Sequence, residues 1–294
     1  MKKKILVFLS AIFMGLALVL GVTGSYIDTT GVQVSAIRGT SLAAQWTLID
    51  DHIKALYKTR NTNPTICRFD DVPLAMTKDS AGGVTTGTAG DENLLMWPGS
   101  IFEYHILGTQ TITEPAWVAA TGLNLGMDQT AGDGIELSQG IGAANKHAFV
   151  IGTDEAFYFK ATFTIADGSG TADFFTGFRA AEDYQAAFDD YTDAAGFNVQ
   201  NGVINLETII GDAGTTTTDT TETDWGNTEE HTLQVNVSAA GVVTYLFDGA
   251  APTAVAAFTF APTTVVPCVF YTQHADLTEV FTISLWEVGY QSAL

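Results

Sequence analysis

The stretch TLQVNVSAAGVVTYLFDG, residues 232–249, decides how this chain folds. Leu233, Val235 and Val237 alternate with Gln234, Asn236 and Ser238, the period-2 pattern of a strand with one buried face. Ser238 to Gly241 then offers a short turn ending on a glycine, which tolerates positive φ. A second run, residues 242–247, is β-branched and aromatic, and Asp248-Gly249 closes it with another hairpin-type turn. A lone hairpin is marginal in water, so the rest of the chain must supply the sheet that buries this one.

Working outward, that supply is ample. Strands are expected near residues 101–106, 117–119, 134–137, 147–151, 156–165, 174–179, 186–190, 194–200, 203–210, 232–237, 242–247, 254–260, 265–272 and 280–290. Asp167-Gly-Ser-Gly170, Asn201-Gly202 and Asp248-Gly249 punctuate them as turns. Many short strands with short connections give an all-β fold, an antiparallel β-sandwich or jelly roll spanning residues 101–294. Residues 211–230 interrupt the series as a polar loop, with Trp225 placed to pin its far end to the body.

The 294 residues suffice for a full core, and the composition agrees with β structure: charged residues are only 15% and lysine is scarce. Net charge is −21, and no Lys or Arg follows Arg179. Such a surface repels phosphate, so nucleic acid is excluded as a partner, and contact with anionic lipid is disfavoured. Acidic, lysine-poor surfaces of this kind stay soluble where salt screens their self-repulsion.

Residues 1–24 stand apart. Lys2, Lys3 and Lys4 precede an apolar run from Ile5 to Val22, followed by Thr23, Gly24 and Ser25. This reads as a signal peptide cut after Gly24, with a retained hydrophobic anchor as the alternative. Residues 25–100 form an N-terminal region of extended arm, amphipathic helix and linker. Leu42, Trp46, Ile49, Ile53 and Leu56 make a narrow apolar seam on a helix over 42–58, capped by Thr40-Ser41. That seam docks either on its own domain or on a second copy. The linker holds a Gly/Thr-rich segment, residues 81–91, with short strands around Cys67 and around 94–96. Cys67 and Cys268 are the only cysteines; export permits a disulfide between them, and two buried thiols are the alternative.

The hairpin resembles the penultimate hairpin of concanavalin-like and laminin-G-like jelly rolls, through His231, Leu233, Val235 and Val237, then Gly241, Val243, Tyr245, Asp248 and Gly249. FTISLWEVGYQ, residues 281–291, falls where those folds close their sheet. A longer span, about residues 130–291, is similar to virion structural proteins of tailed phages from marine metagenomes, through GIELSQGI, FVIGTDEAFYFKATFTIAD and GFRAAEDYQAAFDDYTDAAGFNV. The resemblance implies a non-enzymatic head or tail decoration at the virion surface, with self-association or other virion proteins as partners. The leader supports a different reading, an exported or cell-surface carbohydrate-binding module with glycans as partners.

The residues offer little catalytic chemistry. Glycoside hydrolysis needs two carboxylates across a sugar bond, and the Glu-x-Asp-x-x-Glu pattern of laminarinases is absent. The five histidines are dispersed, with no HxH or HExxH pair, and there is no GxSxG elbow. GIGAAN, residues 140–145, lacks the Lys-Ser/Thr of a phosphate cradle. The chain is therefore expected not to be an enzyme. No cofactor is expected beyond a structural calcium ion, for which Asp189, Asp190 and Asp193 are the best oxygen ligands. For sugar stacking, Tyr184, Tyr191 and Trp225 are the candidate ligand-binding rings, Tyr191 and Trp225 lying beside Asp-rich loops.

Overall fold

A computed structural model describes residues 26–27, 33–34, 65–69, 78–79, 87–88, 92–97, 100–110, 115–118, 120–125, 131–141, 148–171, 173–185, 187–274 and 280–291. The leader, the expected helix over 42–58 and the linker over 81–86 lie outside the described residues. The chain divides into two units, residues 1–60 and residues 61–294. In the first, β1 (Tyr26–Ile27) pairs antiparallel with β2 (Gln33–Val34). The second carries β3 (Thr65–Arg68), β4 (Lys78–Asp79), β5 (Gly87–Thr88), β6 (Glu92–Trp97), β7 (Ser100–Leu107), β8 (Thr109–Gln110), β9 (Ala116–Val118), β10 (Gly122–Asn124), β11 (Gly134–Ile141) and β12 (Ala148–Val150). It continues with β13 (Phe157–Ile165), β14 (Asp173–Arg179), β15 (Ala194–Gln200), β16 (Val203–Ile209), β17 (Thr215–Asp219), β18 (Glu230–Val237), β19 (Val243–Phe247), β20 (Val265–Gln273) and β21 (Phe281–Tyr290).

Apart from a separate two-stranded β5–β8 pairing, the strands of the second unit build two antiparallel sheets, the jelly-roll sandwich expected from the sequence. A seven-stranded sheet runs β19-β18-β13-β21-β10-β9, with β3 also on β21. A ten-stranded sheet runs β17-β16-β15-β14-β20-β11-β7-β6-β4, with β12 also on β20. β13 shows why the smaller sheet buries one face only: Phe157, Phe159, Ala161, Phe163 and Ile165 point inward while Tyr158, Lys160, Thr162 and Thr164 point out. Between the sheets the core is aromatic. Phe163 of β13 meets Phe270 of β20 edge-on at 5.1 Å, and Phe174 of β14 stacks on Phe281 of β21 at 4.9 Å. Trp286, fully buried, packs against Phe102 and Phe159 and donates its indole N–H to Gln139.

The deciding hairpin forms as read, β18 pairing with β19 from Leu233↔Phe247 to Val237↔Val243. Gly241 sits at φ +86°, and a Cβ there would meet the Phe260 carbonyl oxygen at 2.4 Å, so conformation and space both demand glycine. Asp248 and Gly249 are both left-handed, and Phe247 and Ala250 exchange both backbone hydrogen bonds across them. Asn201 and Gly202 do the same work between β15 and β16.

Three stretches differ from expectation. Within the strand expected over 186–190, residues 187–190 hold none; Phe188–Asp190 is a 3-10 turn, because paired aspartates favour turns and Phe188 is drawn to a neighbouring apolar surface. Residues 254–260 make only an isolated bridge, Val242↔Thr259. Within the polar 211–230 loop, Thr215–Asp219 forms edge strand β17, since β-branched threonine suits an exposed strand. The short strands expected around Cys67 and around 94–96 form as β3 and β6, and each pairs into one of the two sheets.

Candidate functional site

On the ten-stranded sheet, alternation puts Phe102, Tyr104, Ile135, Leu137, Phe174, Phe178, Phe197 and Leu206 into the central core. The opposite face therefore carries Glu103 and His105 of β7, Glu136 and Ser138 of β11, Phe175 and Arg179 of β14, Asn198 of β15, Glu207 of β16 and Tyr271 of β20. Much of this face is not open to water. The connection between β14 and β15, residues 180–193, folds back over it, and Phe188 and Tyr191 pack with Leu107, Phe175, Ala194, Ile209, Val269 and Tyr271 into a second, smaller apolar cluster. Phe175 lies against facing glycines: a Cβ on Gly196 would stand 2.6 Å from its ring, and one on Gly177 3.1 Å.

Arg179 ties this covering loop down. Its guanidinium is fully buried and donates through Nε at 3.0 Å and Nη2 at 2.6 Å to Oε1 of Glu136, itself fully buried. Nη1 donates to the carbonyls of Ala180 and Glu182 at the start of the loop. The Tyr191 hydroxyl donates to Oε2 of Glu136 at 2.5 Å, and its ring lies 4.2 Å from the guanidinium carbon. Burial, with the Glu136 carboxylate beside it, pushes the Tyr191 phenol well above its ordinary range. A buried charge needs such a partner set, and here loop and sheet supply it together. Tyr184 stacks flat on His105 at 4.2 Å.

Beside the loop a polar cleft of about 150 Å³ remains open. Asp173 at the start of β14, Asp189 from the covering loop, Asn198 and Gln200 of β15, Glu207 of β16, and Thr215 and Thr217 of edge strand β17 line it, with Phe174 and Phe188 as its apolar part. Glu207 is almost fully buried, and Asn198 Nδ2 donates to its Oε2. The two are diagonal neighbours, since Asn198 stands opposite Asn205. Burial pushes the Glu207 carboxyl up to about 7; the Asn198 hydrogen bond opposes this, while Asp173 and Asp189 add to it. Asp173 is also raised, by burial and by Asp189. Asn198 is 6% exposed, and its amide oxygen has no hydrogen-bond partner. The cleft is thus lined by three carboxylates, the side chains of Asn198 and Gln200 and two threonine hydroxyls beside a small apolar patch, while the Asn198 amide oxygen itself is buried.

The residues singled out from sequence are scattered around this site rather than gathered in it. Tyr191 and Trp225 are buried, so neither presents a ring face to a ligand. Trp225 stacks on Phe163 at 4.7 Å and donates its indole N–H to the Glu229 carbonyl, pinning the end of the polar loop as expected. Tyr184 is half-buried on His105. Of the candidate calcium ligands, Asp189 reaches the cleft, Asp190 lies exposed in the same turn, and Asp193 accepts a hydrogen bond from the Gly211 N–H. Among the described residues no three His, Cys, Asp or Glu side chains form a group able to hold a metal ion. The calcium reading therefore does not fit these three residues. Cys67 and Cys268 are buried and form no disulfide.

Sequence reading missed Glu207 and Asn198. Their signal was an acid inside the apolar run VINLETII, two positions along from the residue facing an asparagine on the hairpin partner.

No protein-family model matches the chain. A comparison with curated proteins found no match either. Solved structures of similar outline include the carbohydrate recognition domain of Emp47p, at 12% identity over 64% of this chain and 89% of that one, with a TM-score of 0.43. An alginate lyase from Pseudomonas aeruginosa matches at 13% identity over 65% of this chain and 83% of that one, with a TM-score of 0.39. The ligand binding domain of botulinum neurotoxin serotype D, in complex with N-acetylneuraminic acid, matches at 10% identity over 72% of this chain and 48% of that one, with a TM-score of 0.40. Nothing about a ligand is carried over from them. None of these comparisons supports the resemblance to tailed-phage virion proteins.

Proposed function

We propose that this domain is a non-catalytic carbohydrate-binding module, and that its ligand sits in the cleft between the covering loop and edge strand β17. The observation that carries this reading is the acceptor-rich lining: carboxylates of Asp173, Asp189 and Glu207, the side chains of Asn198 and Gln200 and the hydroxyls of Thr215 and Thr217, beside Phe188. A sugar offers several hydroxyl donors on one small ring with an apolar face, which complements that mixture. At about 150 Å³ the cleft admits part of a saccharide and does not enclose a chain. Hydrolysis needs a scissile bond held between two flanking carboxylates, and so requires sugar on both sides of the bond. Binding is the chemistry this space supports.

A glycan array probed with the full chain tests the reading. Saturable binding is expected, weakened by Asp189→Asn and by Thr217→Val, with the bound oligosaccharide recovered intact. A blank array sinks the proposal, and shortened oligosaccharides would make the domain an enzyme. Display on a virion and anchorage at a cell surface both present such a cleft outwards. Mass spectrometry of purified particles distinguishes them.

A further inference from the structure

We propose that the outer face of the seven-stranded sheet is a self-association surface, through which two copies of this chain pair back to back about a two-fold axis. This face lies on the side of the sandwich away from the cleft. Strand alternation turns Leu246 of β19, Gln234 of β18, Lys160 of β13, Glu287 of β21 and Ile66 of β3 outward, and pairing sets them in one line across five strands. Beyond β19, residues 255–261 flank the sheet through the Val242↔Thr259 bridge, with Val255 and Thr259 exposed and Phe258 and Phe260 buried. Six large apolar side chains are exposed among the described residues. Four of them, Ile66, Val118, Val242 and Val255, lie on this side; Val118 faces out because its neighbour Trp117 packs against the core. Such clustering marks a contact surface, where single scattered residues would not.

Charge selects the occupant. The chain carries −21, so two copies repel each other wherever acids dominate their facing surfaces. The strands of this sheet differ: their Lys, Arg, Asp and Glu residues are Arg68, Lys160, Glu230 and Glu287, and these cancel. Lys160 and Glu287 pair at 2.6 Å on adjacent central strands, and the Tyr158 hydroxyl also donates to Glu287. A two-fold axis near this pair sets each copy's Lys160 beside the other's Glu287. The opposite side of the sandwich offers no such surface, since the loop over 180–193 covers its sheet and three carboxylates line its cleft. Size agrees with a second copy. From residues 255–261 to β3 there are five spacings of about 4.8 Å, which with strands roughly 25 Å long give about 600 Å² per copy. The total of about 1,200 Å² is the lower end for a specific interface, so a reversible, micromolar dimer is expected. Back-to-back pairing leaves the clefts of both copies open.

Analytical ultracentrifugation of the full chain over a range of salt concentrations tests this. A monomer–dimer equilibrium is expected at micromolar protein, and salt should strengthen it. The Debye length falls from about 30 Å at 0.01 M to about 3 Å at 1 M, which removes repulsion between two acidic bodies and leaves apolar contact intact. The dissociation constant should drop about tenfold or more over that range. Ile66→Asp and Val255→Asp, at side chains 50% and 59% exposed, should each abolish the dimer. Ile210→Asp, at a side chain 64% exposed just beyond β16, should leave it unchanged. Circular dichroism checks that all three variants remain folded. A monomer at every salt concentration overturns the proposal, as does association that weakens with salt. Growth beyond a dimer marks a head-to-tail contact and overturns the two-fold pairing. A dimer lost through Ile210→Asp but kept by both face variants places the contact elsewhere and overturns the assignment to this sheet. No saccharide takes part, so each of these failures leaves the glycan reading to its own array.

Discussion

Replacing Arg179 by methionine should be among the most damaging single changes available in the sandwich, and the structure says by how much. The substitution keeps most of the side-chain volume but removes both N–H donors to Glu136 and the donors to the Ala180 and Glu182 carbonyls. Glu136 is then a fully buried carboxylate with the Tyr191 hydroxyl still bonded to it and no opposite charge. Breaking a buried pair from one side costs about 3–5 kcal/mol. Against a typical total stability of about 5–15 kcal/mol, that is a large share. With a urea slope of about 3 kcal/mol per molar, the midpoint should fall by about 1–2 M. Removing both charges, Glu136→Leu with Arg179→Met, should recover most of the loss, because replacing a buried ion pair by apolar groups is often neutral. Urea titration followed by tryptophan fluorescence reads this out, since Trp225 and Trp286 are both buried. A cost below about 1 kcal/mol for Arg179→Met, or a double variant less stable than the single one, would refute the ion-pair account. Because the covering loop also brings Asp189 to the cleft, the same variant should weaken saccharide binding.

Other outcomes follow from single groups. Glu207 is raised from 4.5 to about 7 on folding, so its protonated form is the one the native state favours. Its contribution is complete below the unfolded value and is lost as pH rises to about 7, on the order of 3 kcal/mol; Glu207→Gln should flatten that part of the stability–pH profile, and an unchanged slope counts against the assignment. Gly241→Ala forces a Cβ to 2.4 Å from the Phe260 carbonyl oxygen at φ +86°, and should cost about 1–3 kcal/mol in thermal or urea unfolding, with no loss contradicting the turn geometry. Burial pushes the Cys268 thiol far up, so it should resist alkylation in the native protein and react in denaturant; rapid native labelling, followed by mass spectrometry, would place it elsewhere.

Much of the architecture was legible because it follows from local rules. Period-2 alternation in residues 232–237 and 156–165 fixed which faces are buried, and Asn201-Gly202 and Asp248-Gly249 fixed hairpin registers through their left-handed residues. Residues 186–190 misled for a physical reason. Phe188 does face inward, but it packs as the underside of a covering loop. Tyr191 and Trp225 misled likewise, since aromatic rings beside acidic loops are equally suited to the surface and to the core, and here burial took both.

What the sequence alone determined is the class of fold, its charge and its hairpins, because alternation, glycine at positive φ and a lack of basic residues act over a few neighbours or over the whole composition. Only the tertiary structure decided the site. Arg179 meets Glu136 across forty-three positions, and Asp173, Asp189, Asn198 and Glu207 converge from three strands and a loop, because strand order and a folded-back connection set those distances. No local pattern encodes which outer face of a sheet a loop will cover. The same covering loop that buries Tyr191 against the sheet brings Asp189 to the rim of the cleft.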